Sequence, residues 1–259
     1  MSGASAVQAI VIRDLIRAIR QKGRLVGGIA RSFMWLLLVG AGYNAIARVD
    51  GAASYQTFIY PGIVVMAVLF GAMLTAISTV YDREFGMLRL MLASPAGVPS
   101  VLIGRTVAAT LIGLMQGAFV LIALPFLFSV TAMQWVAVLA VILLGAVTSS
   151  VLGLLVAAPL RSVENFASIV NVVLFPLIFL SGALYPTTHM PIVLRGVARM
   201  NPVSYLVDLL RLALGQAAEF SAVRSLVVLT ATSIAAFTLT ALIFDPEQRL
   251  ARRGVGPRR

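Results

Sequence analysis

Apolar residues fall into six long blocks separated by short polar stretches, at about 29–46, 58–80, 101–128, 135–158, 166–184 and 225–244. Each approaches or exceeds the roughly 20 residues a helix needs to cross the hydrocarbon of a bilayer, and charge is nearly absent from them, so the pattern predicts six transmembrane helices. Interruptions inside the blocks have readable consequences. Pro125 bends or ends the third span, while Pro61 lies near the outer end of the second, where a missing amide is easily tolerated. Gly145, Ser149 and Gly153, at near four-residue spacing, let another helix approach the fourth span. Asn171 and Pro176 interrupt the fifth, and their amide and freed carbonyl need partners in an interhelical hydrogen bond or a water-filled cavity.

Three stretches between or beside the blocks are amphipathic rather than simply polar. Residues 7–25 interleave Ile10, Ile12, Leu15, Ile16 and Ile19 with Arg13, Arg17, Arg20, Lys22 and Arg24. This predicts a basic helix lying on an anionic leaflet. At 82–95, Asp82, Arg83 and Glu84 end the second span at a membrane surface, and Phe85, Leu88 and Leu92 recur at i, i+3 and i+7 before Ser94-Pro95 stops the helix. Residues 185–222 carry two short apolar stretches, 192–197 and 203–214, separated by Asn201-Pro202. They predict short helices dipping into the outer leaflet. A further polar connection lies at 159–165.

Composition agrees with a polytopic membrane protein: 60% of the 259 residues are hydrophobic and 11% charged, against about 45–50% and 25% in soluble domains. The net charge of +11 is dispersed at the ends of the blocks rather than gathered on a soluble face, which argues against nucleic acid as a partner. Most of the Lys and Arg fall on the side holding both termini, Arg83, Arg89, Arg105 and Arg161. The positive-inside rule puts that side in the cytoplasm, and Arg48, Arg195, Arg199, Arg211 and Arg224 outside. Arg31 snorkels from the first span. No removable signal peptide is expected; the first span serves as insertion signal. The absence of cysteine excludes disulfides and thiolate chemistry within the chain.

Chemical motifs are scarce. No G-x-x-x-x-G-K-[ST] loop is present to cradle ATP, and no H-E-x-x-H helix. His189, the sole histidine, sits between Pro186 and Pro191 without a serine nucleophile nearby and reads as a surface residue. An intramembrane hydrolase is therefore the weaker alternative. An ion-coupled secondary transporter is the stronger one, although Asn171 and Pro176 are its nearest candidate site residues and no carboxylate lies deep in a span.

The stretch DREFGMLRLMLASP followed by VLIGR (101–105) resembles the cytoplasmic coupling helix of ABC transporter permeases of the second, export type. Glu84, Gly86, Leu88, Leu92, Ser94, Pro95, Gly104 and Arg105 stand at matching positions. Arg89 departs, since many members carry an acidic residue there. LSGALYP (180–186) and RMNPVSYLVDLLR (199–211) resemble the end of the family's fifth span and the external segment after it. The resemblance implies one transmembrane domain over 1–259: an all-α polytopic membrane protein with six spans, an N-terminal amphipathic connecting helix, a cytoplasmic coupling helix and re-entrant outer helices. It implies a permease in the bacterial cytoplasmic membrane, surrounded by lipid, pairing with a second copy and with two ATPase subunits. ATP and Mg are then bound by those partners and no cofactor by this chain. Asp82, Arg83, Glu84, Gly86, Leu88 and Arg89 become the expected coupling residues. Asn171, Phe175, Pro176, Phe179, Leu180, Gly182, Tyr185, Asn201 and Pro202 become the expected pathway or outer gate.

Overall fold

The computed structural model describes residues 3–44, 54–93 and 97–254. Among them every regular element is helical. The axis of the bundle is α4 (Tyr55–Glu84), buried along most of its length. Its start is fixed by Ser54, whose hydroxyl accepts from the Thr57 amide while the Thr57 hydroxyl returns to the Ser54 amide, so two orphan donors are satisfied at once. α6 (Gly97–Leu121) and α8 (Ala132–Ala157) pack on it through small residues. A Cβ on Gly71 would stand 2.7 Å from the Gly113 Cα, and one on Gly153 3.3 Å from the Met73 side chain. Gly145 instead admits Leu206, so the small residues of α8 receive two different neighbours. After α6, Pro125 starts the short α7 (Leu124–Leu127), as its fixed φ favours.

The first span begins earlier than its apolar block. α1 (Gly3–Arg20) ends before Gln21, and Lys22 opens α2 (Lys22–Met34). Lys22 and Arg24 therefore stand at the foot of a span and not on the connecting helix expected over 7–25. The helix continues through a π turn, Trp35–Val39, into α3 (Gly40–Asn44). α1 buries Ile10, Asp14 and Ala18, at i, i+4 and i+8 on one face. A Cβ on Gly104 of α6 would stand 2.9 Å from Ile10, so this face lies on α6. Ile12, Ile16 and Ile19 remain exposed on another face.

The connecting helix after α4 is shorter than the stretch 82–95. Asp82, Arg83 and Glu84 still belong to α4; Gly86 adopts φ +75°, a left-handed turn that glycine enters without strain, and α5 spans Met87–Ala93. Leu88 and Leu92 are buried beside Ile10, Leu102 and Phe244, whereas Phe85, expected on the same apolar face, is 76% exposed because the turn at Gly86 breaks the helical phase. Ser94 and Pro95 lie outside the described residues, as do Arg48, Asp50, Arg258 and Arg259.

Among the described residues five helical segments are long and apolar enough to cross a membrane: Lys22–Tyr43, Tyr55–Glu84, Gly97–Leu127, Ala132–Ala157 and Ala222–Phe244. The last belongs to α12 (Ala222–Gly254). The fifth predicted block corresponds to α9 (Val163–Phe179), which has 17 residues and so a rise of about 25 Å at 1.5 Å per residue. Residues 180–184 leave the helix with Gly182 at φ +77°. Non-helical backbone at membrane depth is tolerated where protein satisfies it. Here the Leu177, Gly182 and Leu184 carbonyls accept from Asn201 at 2.6 Å, Arg211 at 2.6 Å and the Tyr55 hydroxyl at 2.7 Å. The same segment leans on α4, where a Cβ on Gly62 would stand 2.5 Å from the Ala183 Cβ.

Two short helices follow the turn Thr187–His189: α10 (Ile192–Met200) and α11 (Pro202–Ala213). Asn201 caps α11 by accepting from the Val203 amide at 3.0 Å, and Pro202 fills its first turn. α11 is buried over most of its length, whereas α10 leaves Ile192, Val193 and Met200 exposed.

Candidate functional site

The three consecutive charges at the foot of α4 point to three different neighbours, because successive helical residues are about 100° apart. Asp82 faces inward, 3% exposed, toward α1 and α6. Its Oδ2 accepts from Arg13 at 2.7 Å and from Arg105, and its Oδ1 accepts from Arg17 at 2.9 Å. Arg105 is fully enclosed. It also donates to the Thr79 hydroxyl at 3.0 Å and lies 3.6 Å from Asp14, itself held by Arg13 at 2.9 Å. Two carboxylates and three guanidiniums thus interlock α1, α4 and α6. The thioether of Met91 on α5 closes the cluster, accepting from Arg13 at 3.2 Å. Arg13 and Arg17, expected to face an anionic leaflet, spend donors on Asp82. Burial alone disfavours charge on Arg13, yet Asp14 and Asp82 carry its guanidinium above the usual arginine range.

Arg83 turns the other way. It donates to the carbonyls of Ala157 at 2.9 Å and Leu160 at 2.7 Å and lies 5.1 Å from the Phe244 ring centroid of α12. Ala157 is the last residue of α8 and Leu160 lies just beyond it, so the cation meets the negative pole of the helix. Glu84 completes the set by accepting from the Val163 amide at 3.0 Å, at the first turn of α9. A carboxylate there faces the positive pole and satisfies one orphan donor. Ser162 caps the same helix from the Asn165 amide. One turn of α4 therefore contacts α1, α6, α8, α9 and α12, and Gly86 connects that turn to α5. Arg89 points outward and exposed.

At the opposite end, Leu180, Gly182, Asn201 and Pro202 come together through the hydrogen bonds that hold residues 177–184. Arg211 stacks 4.4 Å from the Phe58 ring centroid and lies 3.6 Å from Asp208. Burial pushes the Asp208 carboxyl above its usual range, although the Phe220 and Glu219 amides donate to it at 2.7 and 2.6 Å and oppose the shift. Phe175 and Phe179 lie with ring centroids 6.4 Å apart and planes tilted by 41° on an open face of α9, with Pro176 and, farther down, Asn171 also exposed. Tyr185 is exposed beyond them. Asn171 lines a cleft between α2, α4, α6 and α9.

The sequence did not single out Asp14 or the pairing of Arg105. Their signal was the rarity of acids, 9 Asp and Glu in the whole chain. A carboxylate on the apolar face of a basic helix needs a buried cation.

An all-helical bundle with helices long and apolar enough to cross a membrane, its peripheral helices tied to the end of a central span by ion pairs, is a polytopic membrane protein. The chain belongs to the ABC-2 type transporter family, whose model matches residues 5–214. It is 29% identical over 210 residues to the transport permease ycf38 of Porphyra purpurea, covering 79% of this chain and 72% of that one. It is 28% identical over 189 residues to nodulation protein J of Rhizobium leguminosarum bv. trifolii, covering 72% of each. To the inner membrane transport permease YadH of Escherichia coli K12 it is 27% identical over 156 residues, covering 60% and 61%.

Asp82→Asn leaves Arg105 enclosed with its main counter-ion gone, which costs about 3–5 kcal/mol. The measurement is denaturant unfolding of the purified chain in micelles. Replacing both partners, as Asp82→Asn with Arg105→Met, should recover most of the loss; a double variant no better than Asp82→Asn would show that the ion pair is not the source.

Proposed function

We propose that the chain is the permease subunit of an ATP-driven exporter in a bacterial cytoplasmic membrane, with both termini in the cytoplasm. Two copies enclose the pathway, and two separate ATPase subunits, which bind ATP and Mg, drive it through Asp82, Arg83, Glu84, Gly86, Leu88 and Arg89. Family membership supports the class, and the clustering of basic residues on one side supports the orientation. The observation that carries the coupling reading is the Glu84 contact with the first turn of α9. Force on the exposed face of α5, where Arg89 and Leu90 stand free, reaches the foot of α4 through Gly86 and passes to α9 through that contact. α9 carries Phe175 and Phe179 toward its other end, where they form an apolar plug against the second copy. Asn171, Pro176, Leu180, Gly182, Tyr185, Asn201 and Pro202 complete the pathway and outer gate in this scheme.

Glu84→Lys puts a cation at the positive pole of α9 and reverses the attraction. It is expected to leave membrane insertion and ATPase docking intact while lowering transport-stimulated ATP hydrolysis several-fold. Co-purification with the ATPase and hydrolysis assays in proteoliposomes measure both; unchanged stimulation would remove Glu84 from the coupling path. Orientation is checked by single cysteines in this cysteine-free chain. An impermeant thiol reagent on intact cells should label position 195 and spare position 89, and the reverse would invert the topology. For the plug, Phe175→Ala or Phe179→Ala should raise leak or broaden substrate range at equal expression, and wild-type transport in both would make these rings packing groups only.

A further inference from the structure

Between α2, α4, α6 and α9 lies an open cleft of about 230 Å³, of whose lining the coupling scheme uses only Asn171. Gln116 of α6 lines it. This side chain is 1% exposed, yet neither its amide oxygen nor its amide nitrogen has a hydrogen-bond partner. A buried amide with both ends unmet is costly, and native structures supply the partner from elsewhere. Gly28 packs directly against it: a Cβ there would stand 2.8 Å from the amide nitrogen, so only glycine fits beside this amide at the edge of the cleft.

Two cations share the cleft. Arg31 lies 4.5 Å from the Phe70 ring centroid, and Arg24 donates to Gln21 at 2.7 Å. Among the described residues neither pairs with a carboxylate, although both stand on a helix long and apolar enough to span a membrane. Arg24 stands at the foot of that helix and Arg31 about two turns further in, where a cation without a counter-ion is expensive. The remaining wall is apolar, formed chiefly by Phe70, Met73 and Phe166. A second hollow of about 760 Å³, lined by Arg17, Arg20 and Lys22, shares Arg24 and Ile77 with the cleft, so a basic approach leads into a half-apolar slot.

We propose that this cleft binds the anionic head group of a single amphiphile, phosphate- or carboxylate-headed, with its hydrocarbon chain against the Phe70, Met73 and Phe166 wall. Arg24 and Arg31 neutralise the head, and the Gln116 amide nitrogen donates to one of its oxygens. A small free anion would leave the apolar wall unfilled, and a neutral amphiphile would leave both arginines uncompensated. Binding requires no ATPase, so this inference is separable from the export reading.

The test is native mass spectrometry of the full chain in neutral detergent, titrated with phosphatidylglycerol, with phosphatidylcholine of the same chains, and with inorganic phosphate. One phosphatidylglycerol is expected to bind at least about tenfold more tightly than phosphatidylcholine, with no comparable phosphate adduct. Arg31→Gln and Gln116→Leu should each weaken it roughly tenfold, the loss of one charge-assisted hydrogen bond. The exposed Arg161→Gln should not change it. Thermal unfolding without lipid separates binding from folding: Gln116→Leu removes an unmet buried amide and should melt no lower than the wild type, whereas a purely structural glutamine would lower the midpoint. If Arg31→Gln does not fold, Gln116→Leu decides. Equal binding of the two lipids, phosphate bound as tightly as phosphatidylglycerol, or wild-type affinity in Gln116→Leu would overturn the proposal.

Discussion

Asp82 and Arg105 together solve a problem that the apolar composition creates. A guanidinium with no solvent contact, carried on a helix whose other residues are nearly all apolar, is tolerable only if a carboxylate reaches it inside the protein. That carboxylate sits at the last turn of α4, the helix against which α6 and α8 are built, so satisfying the charge also fixes the relative height of α4 and α6. Arg13 and Arg17 then add α1 to the same anion. The position of the connecting helix follows from this charge balance as much as from the burial of Ile10 and Ala18.

Neighbouring charges extend the constraint. Arg83 and Glu84 complement opposite helix poles, the C-terminal end of α8 and the N-terminal end of α9, which are the signs the backbone dipoles demand. Reversing their order would place each against the pole that repels it. The sequence Asp-Arg-Glu is thus a spatial address: inward to the cation of α6, sideways to the end of α8, and onward to the start of α9. The short α5 hangs from this turn through one left-handed glycine.

Periodicity and hydropathy made the helices, their order and the amphipathic connectors legible, because burial in lipid imposes long apolar blocks. Boundaries were less legible where two rules compete. The block 166–184 reads as one span, yet its last residues leave the helix where Asn201, Arg211 and Tyr55 donate to its carbonyls. Residues 82–95 read as one helix, since nothing in a 3.6-residue period reveals that Gly86 turns left-handed. Asp14 and its proximity to Arg105 were hidden for another reason: pairing between residues 91 positions apart leaves no local pattern. Gln116 likewise reads as one polar residue in an apolar run, and its significance lies in Gly28 opposite.

A 17-residue α9 beside the 30-residue α4 gives the bundle an uneven apolar height. With about 25 Å of rise against a hydrocarbon layer of about 30 Å, the bilayer beside α9 must thin, or the buried segment after it must cover the remainder. This is a hydrophobic mismatch confined to one side of the subunit, and each ångström of it costs a fraction of a kcal/mol. Membrane thickness, set by acyl-chain length, thereby acts as a mechanical load on the helix that joins the charged junction to the aromatic pair.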